Sequence, residues 1–184
     1  MKSVIEVCSV KIFENSSDIN FTVNKGESLC IFGMNGSGKT LFIKSLCGLF
    51  KPFGGNIICN VDRNLIGVCL QFPEHLIFKQ TVYDEACLIT GDKKLADELL
   101  SELNIDGSNS PFDLSDGEKR LLFMNGLFKS KELLIFDEPF SSLDESSAQE
   151  TAAKIAESIS LGKSVIYTAN RHKDTLFASK VITL

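Results

Sequence analysis

The stretch Gly33-Met34-Asn35-Gly36-Ser37-Gly38-Lys39-Thr40 fits the pattern Gly-x-x-x-x-Gly-Lys-Thr of a phosphate-binding loop. Its surroundings are the ones that pattern requires. The apolar run at residues 28–32 ahead of it reads as a buried strand, and residues 40–50 behind it carry helical spacing. Glycines let the backbone wrap closely around phosphates, successive N–H groups point inward, and the helix that follows offers its positive N-terminal end. Lys39 is placed to set an ammonium between the β- and γ-phosphates of a nucleotide, and the Thr40 hydroxyl to ligate the accompanying Mg²⁺.

The stretch Leu133-Leu134-Ile135-Phe136-Asp137-Glu138-Pro139 supplies the complementary half: an apolar strand that delivers two adjacent carboxylates at its carboxyl end, where open α/β sheets bind ligands. Asp137 is expected to hold Mg²⁺ through a bound water, and Glu138 to orient or deprotonate the water that attacks the γ-phosphate in line. Alone, such an acidic turn reads as solvated surface. The loop at 33–40 gives it a partner.

Outward from these segments, apolar runs at residues 4–10, 56–60, 65–70 and 164–168 read as further strands. Helical spacing covers 145–160 through Ala148, Ala152, Ile155, Ala156 and Ile159. Strands alternating with helices predict an α/β fold with a mixed, mostly parallel sheet flanked by helices, the segment 13–25 forming an antiparallel hairpin. From residue 73 to about 115 the strand pattern stops, and 81–90 and 92–103 read as two helices. The expected organisation is one domain, with 1–71 and 116–184 as its core and 72–115 as a small helical subdomain.

The 184-residue length suits one main core. With 43% hydrophobic and 23% charged residues, the composition excludes a disordered chain. Nineteen Lys and Arg against twenty-four Asp and Glu give a net charge of −5, which argues against a nucleic-acid surface. Phosphate must therefore be bound locally. No apolar stretch is long enough to span a bilayer, and Glu6 interrupts the start of the chain where an export signal would need its apolar run. The six cysteines show no Cys-x-x-Cys pair and read as buried, reduced thiols.

Between the two acidic and glycine-rich halves lies Leu114-Ser115-Asp116-Gly117-Glu118-Lys119-Arg120, which resembles the LSGGQ signature of ATP-binding-cassette ATPases in its LSGGEKR variant. Gln71, the segment 141–144 ending in Asp144, and Gly48-Leu49-Phe50-Lys51-Pro52 fall where that family has its Q-loop, its D-loop and the end of its first helix. Residues 71–75 and 81–85 resemble the energy-coupling-factor and cobalt-type transporter ATPases. The resemblance implies a P-loop NTPase fold and ATP hydrolysis with Mg²⁺. It also implies a head-to-tail pair of cassettes, a separate transmembrane subunit and a cytoplasmic position on the inner face of the membrane. On the same ground Phe13 stacks on the adenine, Gln71 contacts Mg²⁺, and Ser115, Gly117, Glu118 and Asp144 face the nucleotide of the second cassette. Residues 115–118 equally fit a helix N-terminus with a capping box.

Two positions depart from the resemblance. Asn170 stands where the family's switch histidine is expected; it can donate a neutral hydrogen bond but carries no proton, which predicts slower turnover. Asp116 replaces the first glycine of the signature pair and is expected to point outward, favouring its helix N-terminus. Three functions remain in view: an ATP-driven transporter motor, a weakly hydrolysing nucleotide-binding scaffold in an asymmetric pair, and a soluble cassette unconnected with transport.

Overall fold

The computed structural model of the chain describes residues 2–141 and 143–184. They divide into two compact units, Met1–Val68 with Glu132–Leu184, and Cys69–Lys131.

The first unit holds two sheets. Strands β1 (Ser3–Lys11), β2 (Ile19–Asn24) and β4 (Gly54–Cys59) form an antiparallel sheet in the order β2-β1-β4. The second sheet contains β3 (Ser28–Phe32), β5 (Ile66–Cys69), β6 (Leu133–Phe136), β7 (Ser164–Ala169) and β8 (Lys180–Thr183), in the order β5-β6-β7-β3-β8. The pairs β3–β7, β3–β8 and β6–β7 are parallel, with Cys30 opposite Tyr167 and Ile135 opposite Ile166. Every residue of β6 and β7 is buried, as expected of strands covered on both faces. The expected mixed sheet is thus resolved into two, because β2 returns on β1 rather than joining the parallel strands.

Helix α1 (Lys39–Leu46) buries Phe42, Ile43 and Leu46. It is shorter than the expected 40–50, since the amides of Leu49 and Phe50 both turn back to the carbonyl of Lys44. Helix α5 (Glu145–Ser160) is capped by Asp144, whose carboxylate accepts from the Ser147 amide at 2.7 Å. Its buried stripe is narrower than the spacing suggests: Ala148, Ile155 and Ser158 are buried, whereas Ala156 is exposed.

The second unit is helical: α2 (Val82–Thr90), α3 (Lys93–Leu103) and α4 (Asp116–Ser130), packed on one another. Each starts on a side-chain cap, from Thr81, Asp92 and Ser115 respectively. Gly126 lets α4 approach closely, because a Cβ there would stand 2.7 Å from Ile89 Cγ2 and 3.2 Å from Leu99 Cδ2. This unit extends beyond the expected 72–115. Helix α4 buries Leu122, Phe123, Met124 and Leu127 and packs with α2 and α3, so the division falls at 131.

The cysteines are less uniform than their apolar surroundings suggest. Cys30 and Cys69 are buried, Cys47, Cys59 and Cys87 half-buried, and Cys8 exposed. Cys8 follows the buried Val7 on the face of β1 that Glu6 also takes, so the alternation of the strand turns it outward. No disulfide joins them among the described residues. Nor, among those residues, is any helix long and apolar enough to cross a membrane.

Phe42 carries α1 against the first sheet, its ring 5.9 Å from that of Phe21 at an interplanar angle of 86°. With no exposed surface of its own, it is a full core residue. Phe42→Ala is expected to cost about 3–5 kcal/mol, read as a lowered denaturant midpoint at unchanged m-value.

Candidate functional site

The glycine-rich loop runs from the end of β3 into the first turn of α1. Gly33 is tied to the sheet by its amide, which donates to Ala169 at 3.1 Å, and the Ser37 amide closes a turn on the Met34 carbonyl at 3.1 Å. Gly38 caps α1 at φ 98° and ψ 8°, a left-handed backbone where a side chain would be strained. Met34, Asn35 and Gly36 are exposed along the rim. The Ser37 hydroxyl is buried behind Gly33 without a hydrogen-bond partner among the described residues.

Lys39 is the first residue of α1, and its side chain is only 5% exposed. A buried ammonium needs acceptors on every side. Its Nζ donates to the carbonyls of Gly33 (2.9 Å) and Met34 (3.1 Å) and pairs with Glu138 Oε1 at 3.3 Å. Three oxygens therefore surround one cation inside the loop.

Asp137, at the end of β6, is 3% exposed and is held by two hydroxyls. Thr40 Oγ1 donates to its Oδ2 at 2.7 Å and Thr168 Oγ1 to its Oδ1 at 2.6 Å. Thr168 also accepts from the Glu138 amide at 2.8 Å, so one buried hydroxyl fixes both members of the acidic pair. Glu138 has a left-handed φ of 51°. Its carbonyl accepts from the amide of Ser141 at 3.1 Å and from the Ser141 hydroxyl at 2.9 Å. These bonds hold in place a conformation that non-glycine residues rarely adopt.

The amide of Asn170 lies between Glu138 and the loop. Its Nδ2 donates to Asn35 Oδ1 at 3.2 Å and to Glu138 Oε2 at 3.4 Å. Phe13 is 47% exposed, and its ring edge lies 3.1 Å from where a Cβ on Gly38 would stand, over the start of α1. A cavity of about 620 Å³ beside it is lined by Phe13, Ser16, Asp18, Ser37 and Leu184 among others. Asp144 serves as the cap of α5, and the Ser147 amide and hydroxyl lower its pKa. Ser142, within the segment 141–144 that Asp144 ends, lies outside the described residues.

Gln71, Ser115, Gly117 and Glu118 belong to the unit Cys69–Lys131. The Gln71 carbonyl accepts from Arg120 Nη2 at 3.4 Å. Ser115 and Glu118 form a reciprocal capping box at the start of α4, and the Ser115 hydroxyl and amide hold the Glu118 carboxyl below its ordinary pKa. Asp116 points into solvent, 95% exposed, 3.6 Å from Lys119.

The sequence profile of the ABC transporter family matches residues 16–141, from just ahead of β2 to just past Glu138. The chain belongs to the ABC transporter family. Two relatives within the family are energy-coupling factor transporter ATP-binding proteins. EcfA1 of Fusobacterium nucleatum subsp. nucleatum is 36% identical over 198 residues, covering 95% of this chain and 73% of that protein. EcfA2 of Caldanaerobacter subterraneus subsp. tengcongensis is 34% identical over 164 residues, covering 76% of this chain and 57% of that protein. The chain thus spans a little over half of the second relative. Among solved structures, CbiO1 from Clostridium perfringens, described as part of the ABC transporter complex CbiONQ, superposes with a TM-score of 0.80 at 22% identity. That superposition covers 100% of this chain and 85% of the other. A dimeric ATP-binding cassette in a post-hydrolysis state with ADP and Pi gives 0.81 at 20% identity, covering 98% and 94%. The α/β P-loop fold with its helical subdomain is the one these ABC ATPase structures share.

Within this ABC cassette, sequence reasoning singled out the acids and the loop but passed over Thr168 and Arg171. Thr168 is a buried polar residue near the end of β7, and Arg171 stands three residues before the buried Asp174. A hydroxyl inside an apolar strand and an Arg-x-x-Asp spacing were the available signals. Thr168→Val keeps the shape of the side chain and removes the hydroxyl, leaving Asp137 Oδ1 and the Glu138 amide without it. The expected cost is about 1–3 kcal/mol in denaturant unfolding.

Proposed function

We propose that this chain hydrolyses ATP as the motor subunit of an energy-coupling-factor-type transporter, stacked with a second cassette and working on a separate membrane subunit that carries a small solute such as a vitamin or metal ion. The observation that carries this reading is the buried Lys39 ammonium, held between loop carbonyls and Glu138 beside the hydroxyl-bound Asp137. The amides of Gly33 to Thr40 and the N-terminus of α1 take the phosphate tail, Lys39 bridges its β- and γ-phosphates, and Phe13 stacks on the base.

The donor set fits Mg²⁺: a threonine hydroxyl 2.7 Å from a carboxylate, all hard oxygen, at the mouth of the loop. Thr40 and Asp137 would hold the ion; when bound it would neutralise charge on the phosphates. Glu138 orients the attacking water and takes its proton, while Lys39 draws negative charge from the γ-phosphate. Asn170 donates a neutral hydrogen bond at the place where relatives of this type are expected to use an imidazole. Ser115, Gly117, Glu118 and Asp144 face the nucleotide held by the second cassette, where the N-terminus of α4 offers an anion site. Nucleic acid has no part in this function, and the position is peripheral on the cytoplasmic face of the membrane.

A specific observation favours a second reading, that of a weakly hydrolysing scaffold in an asymmetric pair: Asn170 cannot shuttle a proton. Measured ATP turnover separates the two. Lys39→Ala is expected to abolish nucleotide binding that depends on the phosphate tail, and Glu138→Gln to retain binding while lowering kcat by roughly 100- to 1000-fold. ATP binding unchanged in Lys39→Ala contradicts the loop assignment. Wild-type turnover no faster than that of Glu138→Gln favours the scaffold. Asn170→His is expected to raise kcat by up to about tenfold, read in steady-state phosphate release.

A further inference from the structure

Two turns carry the groups proposed to act on the γ-phosphate: residues 138–141, which begin with Glu138, and residues 170–174, which begin with Asn170. The backbone ladder of β6 and β7 does not join these turns directly, because it pairs Phe136 with Tyr167 and goes no further, and the Thr168 hydroxyl of β7 reaches only the Glu138 amide at the start of the first. The side chain of Arg171 joins them. Its Nη2 donates to the carbonyl of Phe140 at 2.6 Å, across to the first turn. Within its own turn, Nε donates to Asp174 Oδ2 at 2.8 Å and Nη2 to Asp174 Oδ1 at 3.2 Å. The planar fork thus reaches a carboxylate and a carbonyl at once, which an ammonium does less well.

Both anchors of the fork are buried. Asp174 is 3% exposed, and its own carbonyl accepts from the buried Tyr167 hydroxyl at 2.7 Å. Phe140 is fully buried, its ring 5.4 Å from Tyr167 at 81° and 5.0 Å from Phe177. Arg171 is also the chain neighbour of Asn170, whose amide lies 3.4 Å from Glu138 Oε2. We infer that Arg171 is a positioning residue for hydrolysis, a latch that sets the spacing of Glu138 and Asn170 by binding Phe140 and Asp174 together. This rests on the function proposed above.

Arg171→Lys keeps a cation beside Asp174 and gives up the arm to Phe140. The latch predicts a kcat lower by roughly 10- to 100-fold with KM for ATP within about twofold and an unchanged thermal midpoint. It also predicts faster amide hydrogen exchange at residues 138–141, measured without nucleotide, with the rest of the sheet unaffected. The double variant Arg171→Ala/Asp174→Ala removes the buried carboxylate together with its cation and is expected to show the same fall in kcat and the same local exchange. Unchanged exchange at 138–141, unchanged kcat, or a kcat that falls only in proportion to the folded fraction overturns the latch. A wild-type chain that binds ATP without turning it over refutes the proposed activity instead, and the nucleotide-free exchange still decides whether Arg171 holds the turn.

Discussion

The site depends on a carboxylate buried where water cannot stabilise it. Asp137 lies at the end of a strand with no exposed residue, and a charge in that setting survives only with donors on both oxygens. Thr40 and Thr168 supply them, one from the helix after the glycine-rich loop and the other from the neighbouring strand. Because each threonine is itself fixed by backbone structure, the carboxylate locks β6, β7 and the start of α1 in register. Lys39 repeats the logic with opposite sign: a buried cation satisfied by two carbonyls and Glu138. Each charge is buried with its own partners, and the loop and the strand end take their shape around them.

Much of this was legible in the sequence. The spacing of Gly33, Gly38, Lys39 and Thr40 after an apolar run specifies a strand-loop-helix unit, and Asp137 and Glu138 after Leu133–Phe136 specify the acidic strand end. The inner strands of the parallel sheet, β3, β6 and β7, read clearly because continuous apolar runs mark strands buried on both faces. The antiparallel sheet was less legible. Residues 13–25 suggested a hairpin, yet only Ile19–Asn24 is strand, since Phe13 and Ser16 close a turn on each other instead. The division between the units was hidden for a related reason. Asp116 opens a helix after a capping box, a local signal silent on which neighbours the helix will bury, and side chains from Leu122 to Leu127 settle that by packing with α2 and α3. Thr168 and Arg171 left only faint marks, a hydroxyl in an apolar strand and an Arg-x-x-Asp spacing, because the partners that give them their roles, Asp137 and the Phe140 carbonyl, are distant in sequence.

The two units bear different kinds of constraint. In the sheet unit, polar groups at strand ends are fixed by one another. In the helical unit, order comes from caps at each helix start and from a glycine, Gly126, that admits Ile89 and Leu99 against α4. Ser115 and Glu118 are engaged with each other in the capping box, and that box presents the start of α4 as an ordered terminus.

The backbone of Glu138 has a consequence for how such a chain can vary. A left-handed φ costs an L-residue about 1–2 kcal/mol that a glycine would not incur. Drift toward higher stability at this position therefore runs toward an amino acid with no carboxylate at all. Retaining the acid means accepting a permanently tense turn, and the surrounding hydroxyls and guanidinium act as the brace that makes the tension tolerable.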